Sequence, residues 1–501
     1  MATLNQESCE SQDGHLGGVA EAVAEAAAAS GDLADVGARS ALLRAIAAAL
    51  EAGRGGIIAA AAAETALTPE ELAPEFGRMV GVLRQFADVI LRPEAWRPAS
   101  DDAVAPELLA SSPPVGPNHA LRSRLVPLGR VVAVFGASNF PLAYGVMGTD
   151  GASALAAGCA VVVKEHPAHP RTGRLIHSVV QQAAASCGVA PGVVGYIRNE
   201  DPRDFAPARA LVAHLDVAAV GFTGSVGAGM AIADMARSRA RPIPAYCEMG
   251  SANPIYITAD AMRDRSEEIA SALAASIPAR FGQQCTRPGI IVCLGDESEI
   301  RRSRLVGDMA AAIAASPARE MLAPWIAASY AKRLRECAAC EGVEVLAGRP
   351  AAKHDEASRR GVPSLLWAGR DALARGATLR DEIFGPAAVV TVAATVRDMV
   401  PLHPSLTATI WSGVDVAKDE HVRPLLERAV ASAGRVILNG VPTGVRVAEA
   451  MVHGGPFPAT NQPHSTAVGP RAMVRWLRRV GLQGGGTEVG WSSERGAAFR
   501  R

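Results

Sequence analysis

Apolar residues recur in two different patterns along this chain. From residue 17 to about 87 the sequence is rich in Ala, Leu, Glu and Arg, all good helix formers, and residues 30–32 offer a cap before the run that includes 41–52. From Gly129 the pattern becomes one of short, largely apolar runs that read as buried strands: RVVAVFG, AVVVK at 160–164 and VAAVGF at 217–222, each followed by a loop and a helical stretch. The second half repeats the style with NPIYIT (253–258), GIIVCLG (289–295), PAAVVTV (386–392) and RVILNG (435–440). Apolar strands alternating with helices predict an α/β protein whose parallel sheets are covered on both faces. Residues 121–126 differ, because Arg122 and Arg124 alternate with apolar positions. That pattern predicts an exposed strand that pairs with something else. A Pro/Ser-rich break at 111–118 precedes it, and the tail after Gly484 reads as loosely ordered.

Composition narrows the class. At 501 residues the chain is too long for one ordinary domain, so two or three lobes are expected. Fifty Lys+Arg balance fifty Asp+Glu, which gives a nucleic-acid or anionic-membrane partner no compositional support. The polar, acidic N-terminus lacks the basic and apolar regions of a secretory signal, and stretches such as 56–63 fall far short of the roughly 20 residues a membrane span needs. The expectation is a cytoplasmic protein. Eight cysteines in a chain of this length do not suggest a disulfide framework. Cys337 and Cys340 form a CxxC with no second pair or histidine pair to complete a zinc site, so no metal is expected. Cys159 and Cys293 lie in apolar runs and read as core residues.

Ligands bind open parallel sheets beyond the carboxyl ends of the strands, so the polar residues in those loops matter most. Four segments stand out. In GASNFPLAYG (136–145), Asn139 sits in a loop stiffened by Pro141 and either shapes a turn or donates to an oxyanion. In VGFTGSVGAGMAIADMA a strand ends at Phe222 and glycines precede a helix, a weak phosphate-binding signal that is not GxGxxG. Glu248 in AYCEMGSANP is a general base or a solvated loop charge. In ARFGQQCTRPG, Cys285 follows Gln283 and Gln284 and lies two residues from Arg287; a cysteine in a polar loop close to a cation has the setting that lowers a thiol pKa and leaves it reachable. An ordinary loop cysteine is the alternative.

In this order and spacing the segments resemble the aldehyde dehydrogenase superfamily. The family's signatures appear as SNFP (138–141), VVVK (161–164), FTGS (222–225), EMGSANP (248–254), GQQC (282–285) and EIFGP (382–386), spread over about 250 residues. The resemblance continues through NGVPTG (439–444) to near Gln483. It implies an aldehyde dehydrogenase-like fold with two parallel-sheet α/β domains and a small bridging or oligomerisation element. The dinucleotide-binding domain would comprise 1–109 and 129–248, the catalytic domain 249–470 and the bridging element 110–128 with 471–490, leaving 491–501 as a loose tail. It also implies that Cys285 is the nucleophile, Glu248 the general base and Asn139 the oxyanion donor. Lys164 would contact the adenosine ribose of NAD or NADP, and Ser225 with Phe222, Gly224 and Gly229 the pyrophosphate. Glu382 would contact the nicotinamide ribose and Phe384 would pack beside the nicotinamide. In this family exposed bridging strands pair across subunits, so a homodimer or homotetramer is expected.

Several residues depart from the common pattern. Ser138 stands where many members have Trp, and Pro167 where many NAD-preferring members have a ribose-gripping glutamate, so NADP is permitted. His166, His169 and Arg171 are candidates for a 2′-phosphate or plain loop-surface residues. KEHPAHP, EMGSANP, FGQQCTRPG and NGVPTGVRV with HGGPFPAT resemble the 2,5-dioxovalerate (α-ketoglutaric semialdehyde) dehydrogenase branch, and NADP-dependent long-chain fatty aldehyde dehydrogenases share part of the pattern. A substrate carboxylate would need a cation near the thiol, and Arg287 is the candidate. Three rivals remain. A catalytically silent member has no need of Cys285, Glu248 and Asn139 together. Coenzyme A-acylating members generally lack the hydrolytic glutamate. A cysteine hydrolase needs a histidine to activate Cys285, and no histidine in a motif is expected to reach it.

Overall fold

The computed structural model describes residues 18–97, 99–100, 121–199, 201, 204–348 and 358–483. The break at 111–118 and the tail after Gly484 lie outside the described residues.

Five parallel strands form the first sheet: β1 (Val131–Phe135), β2 (Ala160–Lys164), β3 (Val194–Ile197), β4 (Val217–Thr223) and β5 (Ala245–Glu248). Every residue of β1 is buried and all of β2 but its last, Lys164, as a sheet covered on both faces requires. The helices Thr149–Ala157, Pro170–Ser186, Ala206–Ala213 and Val226–Arg237 link successive strands. The spatial order is β3-β2-β1-β4-β5. The chain therefore steps outward from β1, then returns to its other side, and the connections diverge beyond the ends of β1 and β4. Such a switch point opens a ligand crevice.

The helical N-terminal region packs on this sheet. Its first cap differs from the expectation at 30–32. The Ser30 hydroxyl donates to Ala27 O at 2.7 Å, so it serves the preceding helix, and Ser30–Leu33 is a short 3₁₀ turn. Asp35 caps Val36–Ala52 instead, accepting from Ala38 N. Thr68 and Glu71 form a reciprocal capping box at the start of Pro69–Val89, an arrangement in which the cap contributes about 1 kcal/mol.

A second sheet of seven strands follows: β6 (Ile255–Ile257), β7 (Ile290–Leu294), β8 (Val343–Ala347), β9 (Ser364–Ala368), β10 (Ala387–Ala393), β11 (Ser405–Trp411) and β12 (Ala433–Leu438), in the order β8-β9-β10-β7-β6-β11-β12. Only β8 at one edge runs antiparallel to its neighbour. The strand Leu121–Pro127 is not a lone strand. It lies between Ala99–Ser100 and Leu477–Gln483, pairing with the latter over its full length. Among the described residues the open edge on that side thus belongs to Leu477–Gln483.

Candidate active site

Beyond the ends of β1 and β4 lies a cavity of about 1020 Å³. Phe135 and Phe222, whose ring centroids are 6.5 Å apart, line its base. The helix Val226–Arg237 points its N-terminus at the cavity. Ser225 caps it, Oγ accepting from Ala228 N at 3.3 Å, which leaves the Val226 and Gly227 amides without an intrahelical partner. Gly224 is required in this turn, because a Cβ there would stand 2.6 Å from the Phe222 ring. Lys164, at the end of β2, lines the same cavity with its Nζ donating to Glu165 O at 3.1 Å, and burial lowers its pKa to about 8. A cation, a free helix N-terminus and a close backbone approach are the donor set that a dinucleotide's ribose and pyrophosphate need.

Glu382 and Phe384 line the cavity further along. Glu382 presses on the backbone, since a Cβ at Gly250 would lie 2.4 Å from its Oε2. Burial raises its pKa to about 7, against the pull of Arg287. Gly229 does not line the cavity. It marks where the helix packs on Met249, whose Sδ a Cβ would approach to 2.7 Å.

Cys285 enters from the other sheet. Its loop precedes β7 and does not follow a strand, so the rule of strand carboxyl ends does not locate it. Three consecutive residues, Arg280, Phe281 and Gly282, have left-handed φ values of 48°, 54° and 66°. At Gly282 no side chain fits, because a Cβ would stand 2.3 Å from Gly385 C and O. Non-glycine residues in this region cost of order 1 kcal/mol each and need bracing. Arg280 supplies it by donating to Glu75 Oε2 at 2.6 Å, Glu71 O at 2.7 Å and Asn139 O at 2.9 Å. Asn253 then donates to Cys285 O at 2.7 Å and Arg287 O at 3.0 Å, fixing the backbone that leads away from the thiol.

The thiol opens into the cavity beside three polar groups. Asn139 is buried and donates one carboxamide N–H to Gln283 O at 2.9 Å, which leaves its second N–H for another acceptor. Glu248, the last residue of β5, is 4% exposed, and its Oε2 has no hydrogen-bond partner among the described residues. Burial raises its pKa to about 8; the Arg475 charge opposes that shift and Asp150 adds to it. The third group is His453, whose Nε2 lies 3.6 Å from Cys285 Sγ. The expectation that no histidine reaches the thiol is therefore corrected. HGGPFPAT contains His453, but nothing in its pattern shows that a loop 168 residues downstream of Cys285 folds back over it.

Residues 3–456 match the aldehyde dehydrogenase family. The chain belongs to this family. It is similar to α-ketoglutaric semialdehyde dehydrogenase 2 of Azospirillum brasilense, with 40% identity over 455 residues that cover 89% of this chain and 82% of that one. It is also 36% identical over 428 residues to α-ketoglutaric semialdehyde dehydrogenase of Acinetobacter baylyi, covering 84% of this chain and 78% of the relative. In fold it resembles glyceraldehyde-3-phosphate dehydrogenase of Methanocaldococcus jannaschii solved with NADP, at a TM-score of 0.74 and 18% identity over 94% of each chain. The protein is an NAD(P)-dependent aldehyde dehydrogenase that acts on small-molecule aldehydes.

Three expectations for this dehydrogenase need correction. Arg287 does not face the substrate. It is 1% exposed, and its Nη1 donates to Pro288 O at 2.7 Å and to Ala387 O, bracing the loop from behind. The Cys285 thiol is consequently not acidified by Arg287. Burial, then Glu382 and Glu248, push it up to about 12, while the opposing cation is Arg78 on the helix Pro69–Val89. His169 is also committed, with Nε2 against Ala137 O at 2.9 Å and its ring stacked on His166 at 4.9 Å. Arg171 is exposed and is not among the cavity residues, whereas His166, Pro167 and Arg209 are.

Proposed function

We propose that this dehydrogenase oxidises α-ketoglutaric semialdehyde (2,5-dioxopentanoate) to 2-oxoglutarate by covalent catalysis at Cys285. The observation that carries the chemistry is the convergence of Cys285, Glu248 and Asn139 on one cavity. Lys164, Phe222, Gly224, Ser225, Glu382 and Phe384 would hold the dinucleotide, which would supply the acceptor for the hydride leaving the substrate carbon. Cys285 Sγ attacks the aldehyde carbon, and the free N–H of Asn139 with the Cys285 backbone N–H receives the oxyanion. A donor so placed is typically worth about 10²–10³ in rate. Collapse of the oxidised adduct leaves a thioester on Cys285. Glu248 Oε2, with no partner of its own, takes a proton from water, and the resulting hydroxide displaces the thiolate to give the acid.

The substrate assignment is supported by the two similar semialdehyde dehydrogenases and by a cation that suits a carboxylate. A second cavity of about 700 Å³ shares Phe140 with the first and is lined by Arg78. Arg78 donates to Tyr144 Oη at 3.0 Å, its Nε has no partner, and among the described residues it forms no ion pair. Its charge reaches both Cys285 and His453. Arg435, whose field also reaches the thiol, is bound to the carbonyls of Pro442 and Gly444, which leaves Arg78 as the group to meet the distal carboxylate. A charge-assisted contact contributes roughly 1.5–3 kcal/mol, so Arg78→Met should raise KM for the semialdehyde acid about 10–150-fold and leave uncharged alkanals little affected. Equal weakening of both classes would assign Arg78 a structural role. A wild type that prefers long alkanals would replace this reading with the fatty-aldehyde one.

NADP should serve at least comparably to NAD, because Pro167 lines the cavity near Lys164 where a carboxylate would repel a 2′-phosphate. Pro167→Glu should weaken NADP selectively through a like-charge clash, and paired KM titrations would read it. Equal loss of both cofactors would mean the loop had merely been damaged. The open edge of Leu477–Gln483 supports pairing between subunits as a homodimer or homotetramer. Light scattering that reads a monomer at working concentration would contradict this.

A further inference from the structure

One buried carboxylate reaches both loops that carry the reacting groups. Glu75 lies on the helix Pro69–Val89, one turn before Arg78 and on the same face. Its Oε1 accepts from Leu142 N at 2.8 Å and Ala143 N at 3.0 Å, two amides of the turn that follows Asn139. Its Oε2 accepts from Arg280 Nη2 at 2.6 Å, and the same Nη2 donates to Asn139 O at 2.9 Å. Asn139 in turn donates from its carboxamide to Gln283 O, two residues before Cys285. The helix, the Asn139 loop and the Cys285 loop are thereby closed into one ring of hydrogen bonds.

We propose that Glu75 is a positioning residue for the oxyanion site, holding the Asn139 carboxamide in place against the Cys285 backbone N–H. The proposal rests on Asn139 being the oxyanion donor and adds what keeps the two halves of that site together. The halves come from loops of different sheets, Asn139 after β1 and Cys285 before β7, and the two sheets share no strand. The Cys285 loop also cannot hold its shape without help, since Arg280 and Phe281 have left-handed φ values. An ion pair at Arg280, the first of these residues, fixes the turn that leads to the thiol.

Three donors converge on this one side chain. Burial pushes the Glu75 pKa up, and Arg280 with the Leu142 and Ala143 amides opposes that shift. Its charge therefore depends on the same contacts that align the loops. Among the described residues Arg280 has no other ion-pair partner, so removing the charge of Glu75 frees its guanidinium from the Asn139 loop as well. The oxyanion carries its charge only once sulfur has attacked. A displaced Asn139 carboxamide should accordingly slow the chemical step while leaving the dinucleotide as tightly bound as before.

Glu75→Gln, made in two backgrounds, tests the idea. The change keeps the side-chain shape and an oxygen for the two amides, but sets an NH₂ donor against Arg280. Enzyme saturated with NADP is mixed with the semialdehyde acid, and NADPH formation is followed through the first turnover. In the wild-type background that rate should fall about 10–10²-fold, within what a misplaced donor costs, while KM for NADP stays close to wild type. In Asn139→Ala, already slow, adding Glu75→Gln should slow the step little further, because the group it positions is gone. General damage to the core would instead slow both backgrounds by the same factor. Should Glu75→Gln not fold, Arg280→Met cuts the same tie from the other side and is read in the same two backgrounds. Equal slowing in both backgrounds, or a wild-type first turnover in Glu75→Gln, would overturn the proposal. Failure of the oxyanion reading is distinguishable, since it would show as Asn139→Ala reacting at the wild-type rate.

Discussion

Replacing Cys285 with alanine should abolish aldehyde oxidation, lowering kcat by on the order of 10⁴-fold or more. Hydride cannot leave an aldehyde carbon readily until a nucleophile has made it tetrahedral, and among the described residues no other cysteine lines the cavity with Asn139 and Glu248. Dinucleotide affinity should stay nearly intact. Lys164 ends a strand of the first sheet and Ser225 caps the helix Val226–Arg237, while the Cys285 loop is held separately by Arg280 and Asn253. Fluorescence titration with NADPH alongside turnover would check both halves. Substantial turnover in Cys285→Ala would remove the covalent mechanism.

Glu248→Gln should separate the two half-reactions. Thioester formation does not need the carboxylate, so one equivalent of reduced cofactor should form in a burst whose rate and pH dependence stay close to wild type. Steady turnover should then fall by about 10²–10⁴-fold, the usual worth of a general base. The pH profile of the wild type follows from the same group. Only the carboxylate form accepts a proton, and the Glu248 pKa is raised to about 8 by burial. Hydrolysis should therefore speed up as pH climbs through that value and level off above it. Loss of the burst with turnover would instead assign Glu248 to thiol activation.

Much of the site was legible because strand ends carry it. The largely apolar runs ending at Phe135, Lys164 and Phe222 became β1, β2 and most of β4, and the parallel sheet places the residues that follow them around one crevice. What was not legible depends on loops that cross between sheets. Arg287 is the nearest cation to Cys285 in sequence, yet the chain turns at Arg287 so that its side chain braces carbonyls behind the loop. The cation that reaches the thiol, Arg78, comes from a helix some two hundred residues earlier, so nothing in the sequence around Cys285 points to it. His453 is hidden for the same reason. Its loop has no helical or strand period, and the hydrogen bonds that set it come from Thr466 and Ala467. The partner of Leu121–Pro127 was equally out of reach, since register between strands some 350 residues apart leaves no local trace.

The most direct test of the covalent account is the mass of the Cys285 peptide from Glu248→Gln. The variant would be mixed with the semialdehyde acid and NADP and quenched once the burst is complete. The account predicts that most of this peptide carries the acyl group of 2-oxoglutarate as a thioester, released by hydroxylamine. An unmodified Cys285 peptide after a full burst of NADPH, or the acyl group on another residue, would contradict it.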